Sequence, residues 1–366
     1  MKLAGVELRR IRVPLVSPFR TSFGTEIDRE VLLVRVFGDD AEGWGECVAA
    51  ADPLYSAEYV NGAEQVIRDF LLPRLPAEVT ARGLGAAFEP VRGHPMAKAA
   101  VEMAVLDAEL RLAGMSYAAY LGATRTRVPA GVSVGIMDSI PELLDAVGAY
   151  LEQGYARIKL KIEPGWDLEP VRAVRERFGD ILLQVDANAA YRRADLRHLA
   201  ELDPFGLLLI EQPLPEDDLL GHARLARSLT TPVCLDESIT SARAAADAVT
   251  LGACSIVNLK AGRVGGYLEA RRIHDLCAAH GVPVWCGGML ETGLGRAANL
   301  ALAALPGCTL PGDVSASDRY YTRDITEPFR LEDGLMTVPS GPGLGVAPVP
   351  DVLRAFTERA DVVRLP

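Results

Sequence analysis

Lysine is scarce in this chain. Of 38 Lys and Arg residues, only those at 2, 98, 159, 161 and 260 are Lys. Arginine cannot give up its proton at working pH, whereas lysine can be tuned to do so, so the few lysines mark places where a titratable amine is useful. None of the six cysteines forms a CxxC pair, and Cys234 and Cys286 fall inside predicted strands, where a thiol behaves as a small apolar side chain. A reduced, cytoplasmic chain is expected. No apolar run reaches the length of a membrane span, and Lys2, Glu7, Arg9 and Arg10 bring charge too early for a signal peptide. Positive charge is short overall. The net charge of −11 argues against nucleic acid and anionic membrane as partners. An anionic small molecule would then need local positive charge. Histidine offers none of it: His94, His198, His222, His274 and His280 fall at no strand's C-terminal end and read as structural or surface residues.

What the chain does contain is a period. Lys161, Asp186, Glu211, Asp236 and Lys260 follow one another at steps of 25, 25, 25 and 24 residues, each at the end of a short apolar run. One strand, one helix and two loops fill about 25 residues, so the period reads as a βα repeat closing into a (β/α)8-type barrel. Charges at the same place in each repeat lie at the same height on the C-terminal rim, where barrels build active sites. Strands are predicted at 128–135, 156–162, 181–187, 207–212, 233–237, 254–260 and 283–287, with an eighth near 308–312.

Residues 1–125 lack the period. They read as an α+β capping domain, with strands at 3–15 and 30–38, a loop at 17–26, a short strand at 43–47 and a helix at 96–112. Residues 126–324 form the barrel, and 325–366 are expected to return to complete the cap. At 366 residues the two parts together can bury a large core.

Alternation gives the side-chain directions. Ile158, Leu160 and Ile162 form one face of the second barrel strand, so Arg157, Lys159 and Lys161 point inward. Uncompensated inward charge is costly, so carboxylates or a metal must balance it. Asp186, Glu211 and Asp236 are hard oxygen ligands with no His or Cys beside them, which suits Mg2+ or Mn2+ and disfavours Zn2+. Lys161 and Lys260 lie on opposite strands, one for each face of a substrate held over the metal. That arrangement suits removal of a proton α to a carboxylate. Lys159 either tunes Lys161 or touches the substrate carboxylate. Asn188 points the same way as Asp186, and Glu237 is a candidate partner of a lysine or else a solvated loop carboxylate. Ser133, Gly288 and Met289 stand at the rim, where Gly288 would allow close approach of backbone to a ligand. Phe19, Phe23, Leu54 and Tyr55 on cap loops read as a lid, and Ala50 leaves room for an apolar group.

These motifs resemble the enolase superfamily in its muconate lactonizing enzyme subgroup. The matching elements are Lys159-x-Lys161, Asp186-x-Asn188, Glu211-Gln-Pro213, Asp236-Glu-Ser238 and Lys260-x-Gly-Arg-x-Gly-Gly266. With Pro18–Gly24, Gly45-Glu-Cys47 and Trp285–Gly293, the chain resembles the N-acylamino acid racemase and o-succinylbenzoate synthase group over nearly its whole length. The resemblance implies Mg2+-assisted enolisation of a small carboxylate. Both lysines would exchange protons in a racemase. In a synthase Lys161 would act as the base, Lys260 would steady the charge, and the product would serve menaquinone biosynthesis. Partners are expected to be the substrate and further copies of the chain. Within the superfamily the alternative is another muconate-lactonizing-type enzyme, a cycloisomerase or a dipeptide epimerase, although Asp313-Val-Ser315 lacks the second Asp of the epimerase, and a mandelate-racemase-like His is missing from the seventh strand. Outside that chemistry, a Schiff-base lysine aldolase and an inert binding barrel are the alternatives.

Overall fold

A computed structural model describes residues 1–40 and 42–365. The chain opens with a long hairpin, β1 (Gly5–Thr21) and β2 (Gly24–Phe37), followed by β3 (Glu42–Cys47). The expected loop at 17–26 is a correction. Ladder pairing resumes after a bulge between Pro14 and Phe19 and runs to Thr21 opposite Gly24, so only a tight turn at Ser22 and Phe23 remains. The hairpin thereby projects as a finger, and its tip docks on the barrel rim. Ile136 N donates to the Arg20 carbonyl at 2.9 Å, and Ser22 Oγ donates to the Ala187 carbonyl at 3.1 Å.

The helix Pro95–Leu112 lies flat on β3, because a Cβ at Gly43 or Gly45 would overlap the carbonyls of Ala104 and Ala100. It is buried on nearly every side, including Glu102 and Asp107, rather than along one apolar stripe. Its outer side meets the barrel. Glu102 accepts from Leu268 N at 3.1 Å, and Glu46 of β3 accepts from Thr292 N and Gly295 N, both at 2.9 Å. Two cap carboxylates thus satisfy the free amides at the N-termini of the barrel helices Tyr267–Ala279 and Gly293–Ala303.

The barrel strands are β4 (Arg127–Pro129), β5 (Gly131–Val134), β6 (Arg157–Lys161), β7 (Leu183–Asp186), β8 (Ile210–Glu211), β9 (Val233–Leu235), β10 (Ile256–Leu259) and β11 (Val284–Cys286). β5 to β11 form one parallel curled sheet in sequence order. The first predicted strand splits in two, since β4 leaves the barrel to pair with β13 (Leu335–Thr337), itself paired with β12 (Leu331–Glu332). The predicted eighth strand is no regular strand. Residues 308–312 close the barrel through single bridges, Val284 to Cys308 and Ala130 to Gly312. β14 (Thr357–Arg364) pairs antiparallel with β1 at the edge of the cap sheet.

Inside the barrel a small apolar floor of Leu209, Cys234, Ile256 and Trp285 is separate from the main core. The Lys159 ammonium stands 5.1 Å above the Trp285 ring, so the polar layer begins directly on this floor. All six cysteines are buried and unpaired. Among the described residues no helix is long and apolar enough to cross a membrane.

Candidate active site

The strand ends set the site. Lys161 is paired in register with Asp186, and Asp186 with Glu211, so these three charges share one height. The expectation of equal height fails beyond that point. Glu211 pairs with Cys234, so Asp236 stands two residues further along, and Ile256 pairs with Cys234, which carries Lys260 two residues further again. The cause is the stagger that closes a barrel: tilted strands advance in register around the ring. The charged row therefore climbs as a partial spiral.

Each carboxylate is buried and matched by a cation. Lys159 Nζ lies 3.2 Å from Asp186, 3.1 Å from Glu211 and 2.6 Å from Asp313. Lys161 Nζ donates to Asp186 and to Asn188 Oδ1, both at 2.6 Å. Lys260 Nζ lies 2.7 Å from Asp236, which also pairs with Arg263. The two candidate bases differ electrostatically. Burial pushes the Lys161 ammonium below its ordinary value, aided by Lys159 and only partly offset by Asp186. Burial acts on Lys260 too, but Tyr55, Glu211, Glu237 and Asp186 outweigh it and hold that ammonium above its ordinary value. Burial and the neighbouring Asp186 raise the Glu211 carboxyl, while Lys161 and Lys159 overcome burial and hold Asp186 low.

As they stand, among the described residues no three Asp, Glu, His or Cys side chains converge closely enough to hold an ion. The register explains this, since Asp236 sits two residues beyond the Asp186–Glu211 pair and is turned to Lys260 and Arg263. The donor set still fits a hard divalent cation. It is oxygen-only and buried, and Asp186 and Glu211 stand side by side with Glu211 burdened by its neighbour's charge. A cation between them relieves that repulsion.

The remaining residues named from sequence are placed as follows. Asn188, at φ 43, turns back so that its Oδ1 meets Lys161 while its Nδ2 donates to Glu237 Oε1 at 3.0 Å. Glu237 is buried and touches Asn188, one step removed from Lys161. Burial and Asp186 push its carboxyl up to about 7. Ser133 and Met289 line the same cleft as Lys159, Lys161 and Lys260. Gly288 lines it as well, but its close approach is to protein: a Cβ there would meet the Asp313 carbonyl at 2.7 Å. Phe19, Phe23, Ala50 and Tyr55 form the cap side of the cleft. Phe19 packs edge-on against Tyr320, and Phe23 against Tyr55. Leu54 does not join them; it is 59% exposed and borders only the adjoining outer groove. Tyr55 does more than cover the site, since its Oη lies 3.2 Å from Asp236 Oδ1.

Sequence reasoning missed several residues. Asn258 donates to Glu211 Oε1 at 2.7 Å, although its inward direction followed from alternation. Asp313 has both oxygens taken, one by Lys159 and one by Arg157 at 2.8 Å, so it has none free for a substrate amine. Arg29, Glu26 and Tyr320 line the cleft from segments outside the period, and Arg263 is the Arg of the glycine-rich stretch after Lys260.

Residues 4–122 match the mandelate racemase / muconate lactonizing enzyme N-terminal domain, and residues 142–352 match the enolase C-terminal domain-like family. An N-succinylamino acid racemase of Amycolatopsis sp. is 68% identical over 360 residues, 98% of each chain. An o-succinylbenzoate synthase of Geobacillus kaustophilus is 48% identical over 363 residues, 97% of this chain and 94% of the other. Among solved structures, an enolase-superfamily member from Listeria innocua Clip11262 covers all of both chains with a TM-score of 0.96 at 39% identity.

Proposed function

Since the chain belongs to the enolase superfamily, in its mandelate racemase and muconate lactonizing enzyme branch, we propose that it enolises N-acylamino acids, N-succinyl derivatives above all, and racemises them. The same site would carry out the o-succinylbenzoate synthase reaction, since both substrates offer a carboxylate with an acidic α-proton. The relatives bear both names. The observation that carries the reading is the pair of lysines, Lys161 and Lys260, lining one cleft from strands separated by three others.

Lys161, whose ammonium is destabilised by burial, is the base that takes the α-proton at Nζ. Lys260, held protonated, returns a proton from its own Nζ to the opposite face of the carbon. In the reverse direction the roles exchange. In the dehydration, Lys161 takes the α-proton and passes it to the departing hydroxyl, while Lys260 stays protonated beside the developing charge. Mg2+, or Mn2+ in its place, held by Asp186, Glu211 and Asp236, would supply a Lewis-acid centre for the charge on the substrate carboxylate. A Schiff-base role for Lys260 is disfavoured, because the buried carboxylates Asp186, Glu211 and Asp236 would then have no task. The reduced thiols fit a cytoplasmic setting, and the net charge of −11 fits a small-molecule substrate rather than nucleic acid or membrane.

Deuterium exchange tests the assignment. In D2O, Lys260→Ala should still exchange the α-proton of one enantiomer of N-succinyl-Phe, and Lys161→Ala that of the other. Racemisation should vanish in both. Racemisation by either variant at the unmodified rate refutes the two-base mechanism.

A further inference from the structure

The cap side of the cleft carries a cation that the reaction does not use. Arg29 stands on β2 with its side chain 3% exposed. Its Nη2 donates to the Val48 carbonyl, and its Nη1 comes no nearer to Glu26 than 3.6 Å. Its Nε is buried and meets no protein acceptor. A guanidinium carries five N–H donors in a planar fork, and burying one with donors unmet is costly. Arg29 lines the cleft that Lys159, Lys161 and Lys260 also line, and it borders the outer groove formed by Phe23, Ala50 and Tyr55. The contrast with the lysines is direct. Each lysine has a carboxylate oxygen within 2.7 Å, whereas Arg29 has only the loose approach of Glu26. Along this cleft it is the positive charge least matched by the protein.

We propose that Arg29 binds the far carboxylate of the substrate's acyl arm. Arg29 is then the residue that sets the preference for a succinyl chain over a short neutral acyl group. The proposal rests on the racemase reading above and adds to it the side chain that reads the acyl arm. The fork suits a carboxylate bidentately. The Val48 carbonyl fixes the orientation of the guanidinium and ties it to the loop that carries Ala50. The α-carboxylate would lie at the barrel end of the cleft and the distal carboxylate at the cap end, so the arm would span the two domains.

The experiment compares three substrates: N-succinyl-Phe, its terminal amide (N-succinamoyl-Phe), and N-acetyl-Phe. With the unmodified enzyme, replacing the distal carboxylate by the amide should lower kcat/KM about 10–100-fold, mainly through KM, as expected for a lost charge-assisted hydrogen bond. Arg29→Met should lower kcat/KM for N-succinyl-Phe far more than for the other two and erase the preference for the acid. Arg29→Lys should keep part of it. If Arg29→Met does not fold, the acid-to-amide ratio of the unmodified enzyme and the Lys variant decide. Equal turnover of acid and amide by the unmodified enzyme overturns the proposal, and so does an equal loss on all three substrates in Arg29→Met. With N-acetyl-Glu as a fourth substrate, a selective loss on it alone in Arg29→Met would give Arg29 to the amino-acid side chain and also overturn the proposal. Turnover of none of the substrates refutes the racemase reading itself, whereas turnover of all three without preference refutes only the role of Arg29.

Discussion

Tyr55 Oη lies 3.3 Å from Lys260 Nζ, and that ammonium stands 4.7 Å from the centre of the same ring. A residue of the cap loop therefore completes the surroundings of a barrel lysine. Burial raises the Tyr55 phenol, so it keeps its proton. A phenol has one proton to donate. Here it goes to Asp236, and the oxygen accepts from Lys260. The surroundings of Lys260 and Asp236 are complete only with the cap in place, which would couple exclusion of water to assembly of the site.

Tyr55→Phe keeps the ring and removes the hydroxyl. The expected loss in kcat is about tenfold, the size of one lost hydrogen bond to a charged group. It should fall mainly on α-proton exchange at the face served by Lys260, measured in D2O with each enantiomer separately. Equal slowing of both faces would show that the hydroxyl serves closure alone.

The sequence makes the row from Lys161 to Lys260 legible because a βα repeat has a nearly fixed length. Any side chain placed by the repeat and by strand alternation can be read from spacing, and Asn258 was readable on the same ground. The climb of the row at Asp236 is not readable. Stagger is a property of strand pairing around the closed ring, and nothing within one repeat encodes it. Arg29 and Tyr320 reach the cleft from segments with no period, where only the tertiary path of the chain brings them in. The finger formed by β1 and β2 was hidden for another reason. Alternation is interrupted at the bulge, where none of Leu15, Val16, Ser17 and Pro18 is buried, so the run does not read as one continuous strand.

Metal removal should abolish turnover. Exhaustive EDTA treatment should inactivate the enzyme, and Mg2+ or Mn2+ should restore it, with the ion about 2.0–2.2 Å from oxygens of Asp186, Glu211 and Asp236 in a loaded crystal. The ion should also stabilise the fold, by about 2.7 kcal/mol at a hundredfold excess over its Kd. Full activity after chelation would exclude the metal. An unchanged melting temperature on adding Mg2+ would exclude tight binding to the folded state.

His222 gives a pH dependence remote from the cleft. Its Nε2 accepts from Leu214 N at 3.2 Å, and its Nδ1 faces the Asp218 carbonyl at 2.9 Å, so the ring is held as one neutral tautomer. Burial pushes its pKa down to about 4, against an ordinary value of about 6.5. Above about pH 6.5 the ring is neutral folded and unfolded, and no proton is linked to folding. Between 6.5 and 4 only the unfolded chain takes up the proton, so stability falls as pH falls, by about 2 kcal/mol at pH 5. The unfolding free energy from urea titration should drop between pH 7 and pH 5 by about that much more in the unmodified protein than in His222→Gln. Identical shifts in both would remove His222 as the source.

Side-chain selection should come from the cap loop at Ala50. Phe19, Phe23, Tyr320, Met289 and Leu290 make the cleft wall apolar, and Ala50 leaves space beside them. N-acyl derivatives of Phe and Met should therefore be turned over far better than those of Asp, whose charge would be stranded against that wall. Ala50→Trp fills the space. It should lower kcat/KM for the Phe derivative at least about tenfold more than for the Ala derivative, since only the larger side chain reaches the loop. Equal losses for the Phe and Ala derivatives would show that the loop does not touch the side chain, and selection would then lie on the barrel rim at Ser133 and Met289.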